Sequence, residues 1–214
     1  QEALTLGHLA EFLVDPGQQC SPAYVRDLDD PARFIRFKGE GEPNFGYTRA
    51  LVWVRFTVDL TGAGENDWFL QLGHPHLDEL ELFLPDGKGG FVRHLTGMLQ
   101  PLSSRPVTNR HFVFRITKEK ARAGTWLLRA KSEDNVILPV TLWREHAFWK
   151  ASQRAAYAYG AYFGVIAALA LFNLFLFFAM RERYFLVYTL FITWFGVWMS
   201  SALGFFNVYA APLL

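Results

Sequence analysis

The stretch that decides the fold is YAYGAYFGVIAALALFNLFLFFAM, residues 157–180. No charged residue occurs between Arg154 and Arg181, and none follows Arg183. Both uncharged runs exceed the ~20 apolar residues that an α-helix needs to cross a bilayer. The alternative is a buried helix pair of a soluble protein, but such helices keep a polar stripe with a period of 3.6 residues, which neither run has. The pattern therefore predicts two membrane-spanning helices.

We place these helices at about residues 157–180 and 184–209, as a hairpin closed by the polar turn Arg181-Glu182-Arg183. The part of the chain before them has a different composition. All but two of the 21 basic residues and all but one of the 20 acidic residues precede residue 155, so their charges balance. A neutral domain lacks the basic surface that nucleic-acid binding requires. The expected partner is therefore the lipid membrane and not a nucleic acid.

Short alternating runs fill the first two thirds of the chain. In residues 51–60 the side chains alternate between one apolar and one polar face, which is the period of a β-strand. Similar runs, separated by turn residues, occur at residues 68–73, 78–84, 91–95, 111–116, 126–131 and 136–143. Roughly seven to nine short strands without a long helix predict an all-β, antiparallel two-sheet sandwich of jelly-roll or immunoglobulin-like type. We assign it to residues 1–144 and the transmembrane α-helical hairpin, with its juxtamembrane helix, to residues 145–214.

The first 45 residues have a less regular pattern. We expect one edge strand within residues 4–14, one helical turn that begins at Ser21-Pro22, a short strand at residues 34–37 and a loop over residues 39–46.

The junction between the two parts contains no helix breaker. From Glu145 the residues favour a helix, and neither Gly nor Pro occurs until Gly160. A helix is therefore expected to begin near Glu145 and to continue into the bilayer. A continuous helix transmits a push or a twist, whereas a flexible linker would not.

The termini and the single cysteine add two expectations. Cys20 is the only cysteine, so no intrachain disulfide can form. The chain begins at Gln1 without an export signal and ends soon after the second predicted span. We expect a trimmed N-terminus and a fragment of a longer protein.

Several motifs, in this order, resemble a known family. In the first part they are Phe45-Gly46-Tyr47-Thr48, Trp53-Val54-Arg55-Phe56, the run from Pro75 to Phe83, Pro85-Asp86-Gly87, Thr96-Gly97, Arg105-Pro106 and Phe112-Val113-Phe114. In the second part they are Gly160, Gly164, Asn173-Leu174-Phe175, Arg181-Glu182-Arg183-Tyr184 and Tyr188. Together they resemble bacterial receptors with seven transmembrane helices and diverse intracellular signalling modules.

The resemblance implies a periplasmic jelly-roll sensing domain followed by the first two helices of the seven-helix region. It implies a bacterial inner-membrane location with the sandwich outside the cytoplasm, and a carbohydrate or another small extracellular ligand. It also implies five further helices as partners and an output module of two-component or cyclic-di-GMP type. We expect any such catalytic module outside this chain, which is itself not expected to be an enzyme. Neither oligomeric state nor ligand identity follows, and a homodimer is left open.

The outward faces of the predicted strands offer candidate ligand-binding residues: Trp53, Arg55, Glu79, His111, Arg115 and Arg129. An aromatic plate beside planar hydrogen-bonding groups suits the ring face and the hydroxyls of a sugar. This hypothesis requires the strands to be neighbours in one sheet, which the sequence does not establish. The alternative is that Trp53 and Arg55 pack beneath a loop while the others form a solvated face.

Metal binding and catalysis are less favoured. His74-Pro75-His76 with Asp78 offers two imidazoles and a carboxylate, but no further His or Cys completes a zinc shell. Glu79 and Glu81 fall on one face of a strand, about 7 Å apart, a spacing that a solvated edge explains as well. We therefore expect no cofactor and no metal.

Three residues of the first span are candidates for helix packing. Gly160 and Gly164 form a small-xxx-small pattern that permits close helix contact. Asn173 falls at mid-depth, where an unpaired amide is costly, so a partner helix is expected to satisfy it.

The sequence predicts a ligand-sensing domain and membrane anchor of a transmembrane receptor that signals through its first transmembrane helix. One alternative is a membrane-tethered module that docks a periplasmic protein or glycan without signalling. A second alternative is a tethered enzyme that acts on glycans.

Overall fold

The computed structural model describes residues 2–37, 42–60, 67–117 and 123–210. The chain divides into two compact units, Gln1–Ala147 and Phe148–Leu214. This division lies three residues beyond the predicted domain boundary, within the first turn of the long helix that begins at Glu145.

The first unit is built from short β-strands. In the described residues these are β1 (Ala3–Thr5), β2 (Glu11–Asp15), β3 (Asn44–Tyr47), β4 (Leu51–Val58), β5 (Trp68–Leu72), β6 (Glu79–Pro85), β7 (Phe91–Thr96), β8 (Phe112–Ile116), β9 (Gly124–Lys131), β10 (Asn135–Ile137) and β11 (Val140–Arg144). A short helix α1 (Pro22–Asp27) and the 3-10 turns Pro31–Arg33 and Leu102–Ser104 complete the unit. The Ser21 side chain accepts a hydrogen bond from Tyr24 N and Pro22 occupies the first turn, which confirms the predicted helix start.

The strands form two main antiparallel sheets. One has the order β2-β4-β9-β6-β7 and the other β1-β11-β5-β8, while β10 and β3 form a separate ladder. Side chains from the inner faces of both main sheets belong to one hydrophobic core, in which Phe12, Phe112 and Trp126 are fully buried. The predicted all-β sandwich is therefore confirmed, and the alternation along residues 52–58 places its apolar side chains inward as expected. The jelly-roll subtype stays a prediction.

The predictions for residues 1–46 are partly wrong. Residues 4–14 do not form one strand, because the chain turns at Leu6, whose carbonyl accepts hydrogen bonds from Leu9 N and Ala10 N. β1 and β2 consequently lie in different sheets. The strand predicted at residues 34–37 is reduced to a single bridge between Ile35 and Phe12.

Two further boundaries differ from the sequence pattern. The loop predicted at residues 39–46 contains β3 from Asn44 onward, while residues 39–41 lie outside the described part. The strand predicted at residues 136–143 is divided into β10 and β11. Pro139 lies between them, and a proline has no N–H to donate to a ladder.

Two long helices form the second part of the chain. Helix α2 (Glu145–Met180) begins directly after β11 and continues without a break for 36 residues, and α3 (Arg183–Ala202) follows the turn. Within the described residues, both are long and apolar enough to cross a membrane. Large apolar side chains on them are exposed, with Trp194 74% accessible, as expected for surfaces that face lipid or further helices.

The second helix is shorter than predicted. We expected it to reach Tyr209, but the α-helix ends at Ala202 and a π-helical segment occupies Phe206–Ala210. Gly204 has a positive φ of 79° and donates its N–H to the Ser201 carbonyl. A glycine in this conformation ends a helix at little cost, which explains the early end.

Candidate functional site

The outer face of the five-stranded sheet collects most of the predicted ligand residues. Strand pairing sets Trp53 opposite Arg129, and Arg129 opposite Glu81. Two residues further along β4, Glu11 lies opposite Arg55 on the same face. Since these are registered neighbours, charged and aromatic side chains are interleaved across one surface.

Half of this face is covered. Trp53 is fully buried in a second hydrophobic cluster and stacks on Phe83, with 5.7 Å between ring centroids. Val25 of α1 and Phe34 belong to the same cluster, which places the segment of residues 20–34 over the tryptophan. Trp53 thus has the packing of a core residue.

Arg55 is a structural residue of the covered half. Its Nε donates to Glu11 Oε2 at 2.8 Å, and its Nη1 donates to the carbonyls of Val25 and Leu28 at 3.0 and 2.8 Å. Its guanidinium also lies 3.9 Å from the centroid of the Phe34 ring, a cation–π contact. These contacts tie the covering segment to β4.

Glu11 receives a second arginine, Arg36, whose side chain is exposed. Burial acts to raise the pKa of Glu11, but the hydrogen bonds from Arg36 and Arg55 outweigh it and lower the pKa below its ordinary value. The Glu11 carboxylate therefore stays ionised and anchors the edge of the sheet.

The other half of the face is open and polar. Glu81 is buried, yet it is ion-paired with both Arg93 and Arg129. The Arg93 side chain is 56% exposed and the Arg129 side chain 27% exposed. The Arg129 guanidinium lies 5.7 Å from the Trp53 ring centroid, so this group borders the covered half.

The predicted residues Glu79, Arg129, Trp53 and Arg55 share this sheet, but His111 and Arg115 do not. Arg115 is on β8 of the four-stranded sheet, where its Nε donates to Asp67 Oδ2 at 2.7 Å. His111 directly precedes β8. The six candidates thus occupy two different sheets, and the hypothesis of one surface does not extend to the last two.

His111 lies in a polar cluster of its own, with Gln71 and His74. Its Nδ1 is 2.6 Å from Gln71 Nε2. Burial, followed by the charges of Arg110 and His74, lowers the pKa of His111 from its ordinary value to about 4. Burial, followed by the charge of His76, also lowers the pKa of His74. Both effects favour neutral imidazoles at neutral pH.

The motif considered for metal binding in the sequence comprises His74, His76 and Asp78. The His74 and His76 rings are 5.8 Å apart in an edge-to-face arrangement, and no group of three or more His, Cys, Asp or Glu side chains in the described ranges is placed to hold a metal ion.

In the helical hairpin, the predicted packing residues have few contacts with the described residues. A Cβ on Gly160 or Gly164 would meet no described atom within 4 Å, and Asn173 Nδ2 donates to Leu169 O of its own helix. Contacts of these three residues with further helices stay a prediction. Gly196 of α3 is instead the close-contact glycine, because its Cβ would come 3.2 Å from Ile166 Cγ2 on α2.

Local sequence patterns did not identify three important residues, Arg93, Glu11 and Gln71. Arg93 could have been placed from the sequence, because it alternates with Phe91 and Leu95 along one face of a predicted strand. Glu11 and Gln71 could not have been placed in this way, because their roles depend on partners that are distant in sequence.

An apolar helical hairpin that follows a polar-faced β-sandwich defines the class of membrane-anchored proteins with an extramembrane recognition domain. Residues 7–144 match the family model described as 7TMR-DISM extracellular 2, and residues 155–214 match the model described as 7TM diverse intracellular signalling. No curated protein matches the chain. The chain belongs to the family of seven-transmembrane receptors with diverse intracellular signalling, which confirms the resemblance seen in the sequence.

Membership of this family establishes the layout of the chain. The β-sandwich is an extracellular sensor domain, and the helices belong to the membrane region of a signalling receptor in the inner membrane. With the sandwich outside, the turn that carries Arg181 and Arg183 is on the cytoplasmic side.

Proposed function

We propose that the sandwich binds a small polar ligand, such as a carbohydrate, and that α2 carries the signal into the membrane. The observation that carries this proposal is the open half of the outer face of the five-stranded sheet. There Arg93 and Arg129 surround Glu81 on an exposed surface, whereas the adjoining half is sealed by residues 20–34.

The geometry of the open half supports binding of a polar molecule. Guanidinium groups provide planar, directional donors that suit hydroxyl and carboxyl oxygens. Glu79 and Lys131 are registered neighbours on β6 and β9, two residues from the Glu81–Arg129 pair, and extend the polar surface on the same face. Four charged side chains of the open half come from three adjacent strands, so a rigid scaffold positions them: Glu79, Arg93, Arg129 and Lys131.

A binding screen tests the ligand part of the proposal. The chain in lipid nanodiscs is applied to an array of neutral and acidic glycans and to a panel of small polar compounds. Saturable binding of one ligand class is the expected result. Turnover of a bound glycan would instead favour a tethered enzyme, and a silent screen would favour docking of a periplasmic protein.

Helix α2 has the properties that signal transmission requires. At 1.5 Å per residue it spans about 54 Å, well beyond the ~30 Å of a hydrocarbon core. Its charged residues Glu145, Lys150 and Arg154 lie in the first three turns, and none follows within the helix. The helix therefore extends from the membrane to the end of β11 without a flexible linker.

Inserting Gly-Gly-Ser-Gly after Ser152 should uncouple ligand binding from signalling in the full-length receptor. Glycines destabilise a helix by about 1 kcal/mol each, so the insert breaks the continuous rod. We expect unchanged ligand affinity and loss of most of the ligand-dependent output, measured side by side in membranes.

The matched control for this insertion is a helix-forming insert of seven residues, Ala-Glu-Ala-Ala-Lys-Ala-Ala, at the same position. Seven residues make about two turns, so helix continuity and phase are both kept. This variant should retain its response. A receptor that responds normally with the Gly-rich insert would contradict transmission through α2.

A further inference from the structure

Among the described residues, the charged group in the open half of the outer face has an excess of one positive charge. Two guanidiniums, Arg93 and Arg129, share the single carboxylate of Glu81. Because the Glu81 side chain is only 1% exposed, it lies beneath the two arginines and orients them from within the sheet. One net positive charge is thus held at the surface by a buried partner.

The two arginines also keep unused donors. Arg93 contacts Glu81 through Nε, at 2.6 Å from Oε1, and through Nη2, and Arg129 contacts it through Nε. Among the described residues, Arg93 Nη1 and both Nη atoms of Arg129 have no hydrogen-bond acceptor. A guanidinium presents five N–H donors, two of them on each Nη atom. Each arginine therefore retains one N–H on Nη1 and one on Nη2 that point the same way, with the spacing of the two oxygens of a carboxylate.

Glu11 on the same face provides an internal comparison, because it too lies between two arginines. There, however, Arg55 donates to three backbone carbonyls as well as to Glu11, and it is covered by Phe34. The Arg36–Glu11–Arg55 group therefore holds the covering segment, residues 20–34, in place. The Arg93–Glu81–Arg129 group lies on β7, β6 and β9. Among the described residues it holds no covering segment, and it is open at the surface.

We infer that the Arg93–Glu81–Arg129 group is a receptor for a carboxylate, so that the sensed ligand is an acid, either an acidic saccharide or a free carboxylic acid. This inference rests on the function proposed above and adds the ligand's charge to it. A ligand carboxylate that contacts the free Nη–H groups of the two arginines accepts their hydrogen bonds and neutralises the surplus positive charge. The Trp53 ring beside Arg129 is buried and limits the movement of this guanidinium.

The test compares three probes by calorimetric titration of the chain in nanodiscs: trigalacturonate, its fully methyl-esterified form and succinate. We expect saturable binding of trigalacturonate and at least a tenfold weaker affinity for the neutral ester. Competition by succinate at similar concentration identifies a free carboxylic acid as the source, and its failure to compete identifies a saccharide.

Arg129→Gln and Arg93→Gln should each weaken trigalacturonate binding by about tenfold or more, since each removes a charged donor pair. Arg36→Gln is the matched control, because it removes an exposed arginine from the comparable group at Glu11 and should not change affinity. The 56% exposed Arg93 provides the variant with the smaller risk of misfolding, which thermal unfolding of each variant verifies.

The remaining outcomes separate this inference from the proposed function. Equal binding of trigalacturonate and its ester, or equal affinity of wild type and both Gln variants, would overturn the acid-receptor inference and leave a polar-ligand sensor in place. Absence of binding for both acids would also overturn it. Failure of the whole ligand screen would overturn the proposed function itself.

Discussion

Trp53→Ala is expected to lower the free energy of unfolding of the β-sandwich by about 3–5 kcal/mol. The tryptophan is fully buried, stacks on Phe83 and lies under Val25 and Phe34, so its removal leaves a large cavity beneath the covering segment. The measurement is pulse proteolysis of the chain in micelles along a urea series, since cleavage reports unfolding of the sandwich while the micelle protects the helices.

Two variants serve as controls for this prediction. Trp53→Phe keeps an aromatic ring in the cluster and should lose much less stability. Tyr47→Ala removes an aromatic side chain that is 82% exposed and should change the unfolding free energy by less than about 0.5 kcal/mol. If Trp53→Ala left stability intact but abolished ligand binding, the Trp53 ring would contact the ligand directly and the packing explanation would be wrong.

Acid is expected to destabilise the sandwich through His111. In the folded protein its pKa is about 4, whereas an unfolded histidine has a pKa of about 6.5, so between these values the unfolded chain binds more protons. Stability should fall as the pH decreases from about 6.5 to 4, by on the order of 3 kcal/mol, and this contribution should be constant outside that window.

Burial of the imidazole is the main reason why His111 excludes the proton, and its neighbours act in the same direction. Gln71 Nε2 faces His111 Nδ1 at 2.6 Å, and with the amide in this orientation it donates to a neutral ring. A proton on Nδ1 would set two donors against each other, beside the positive charge of Arg110. Since the pKa of His74 is lowered as well, the two imidazoles respond to acid in the same direction.

His111→Gln should therefore flatten most of the pH dependence in this window, as measured by unfolding at pH 4, 5, 6 and 7. The variant His8→Gln, in which an exposed histidine is removed, controls for a general effect of histidine number. Identical pH profiles for wild type and His111→Gln would refute the assignment. The change that remains in His111→Gln includes the contribution of His74 and, near pH 4, that of Glu11, whose pKa is also lowered in the folded protein.

The elements that were predicted correctly depend on local patterns. The alternation in β4 repeats every two residues. The uncharged run in α2 is longer than the thickness of a hydrocarbon core, and the uncharged run in α3 is about equal to it. The predictions failed where a local pattern was interrupted by a non-local requirement. β1 and β2 are separated because the chain passes from one sheet to the other at Leu6, which no local pattern of residues 4–14 reveals.

The sequence alone determined that this chain is a β-domain followed by a membrane hairpin, because both conclusions follow from the period and length of apolar runs. Only the tertiary structure decided which predicted ligand residues share a surface. Trp53 and Arg129 meet because β4 pairs with β9, and Trp53 is buried because residues 20–34 fold over it. Such contacts join residues distant in the chain, and their energy depends on packing and desolvation that only the folded neighbourhood provides.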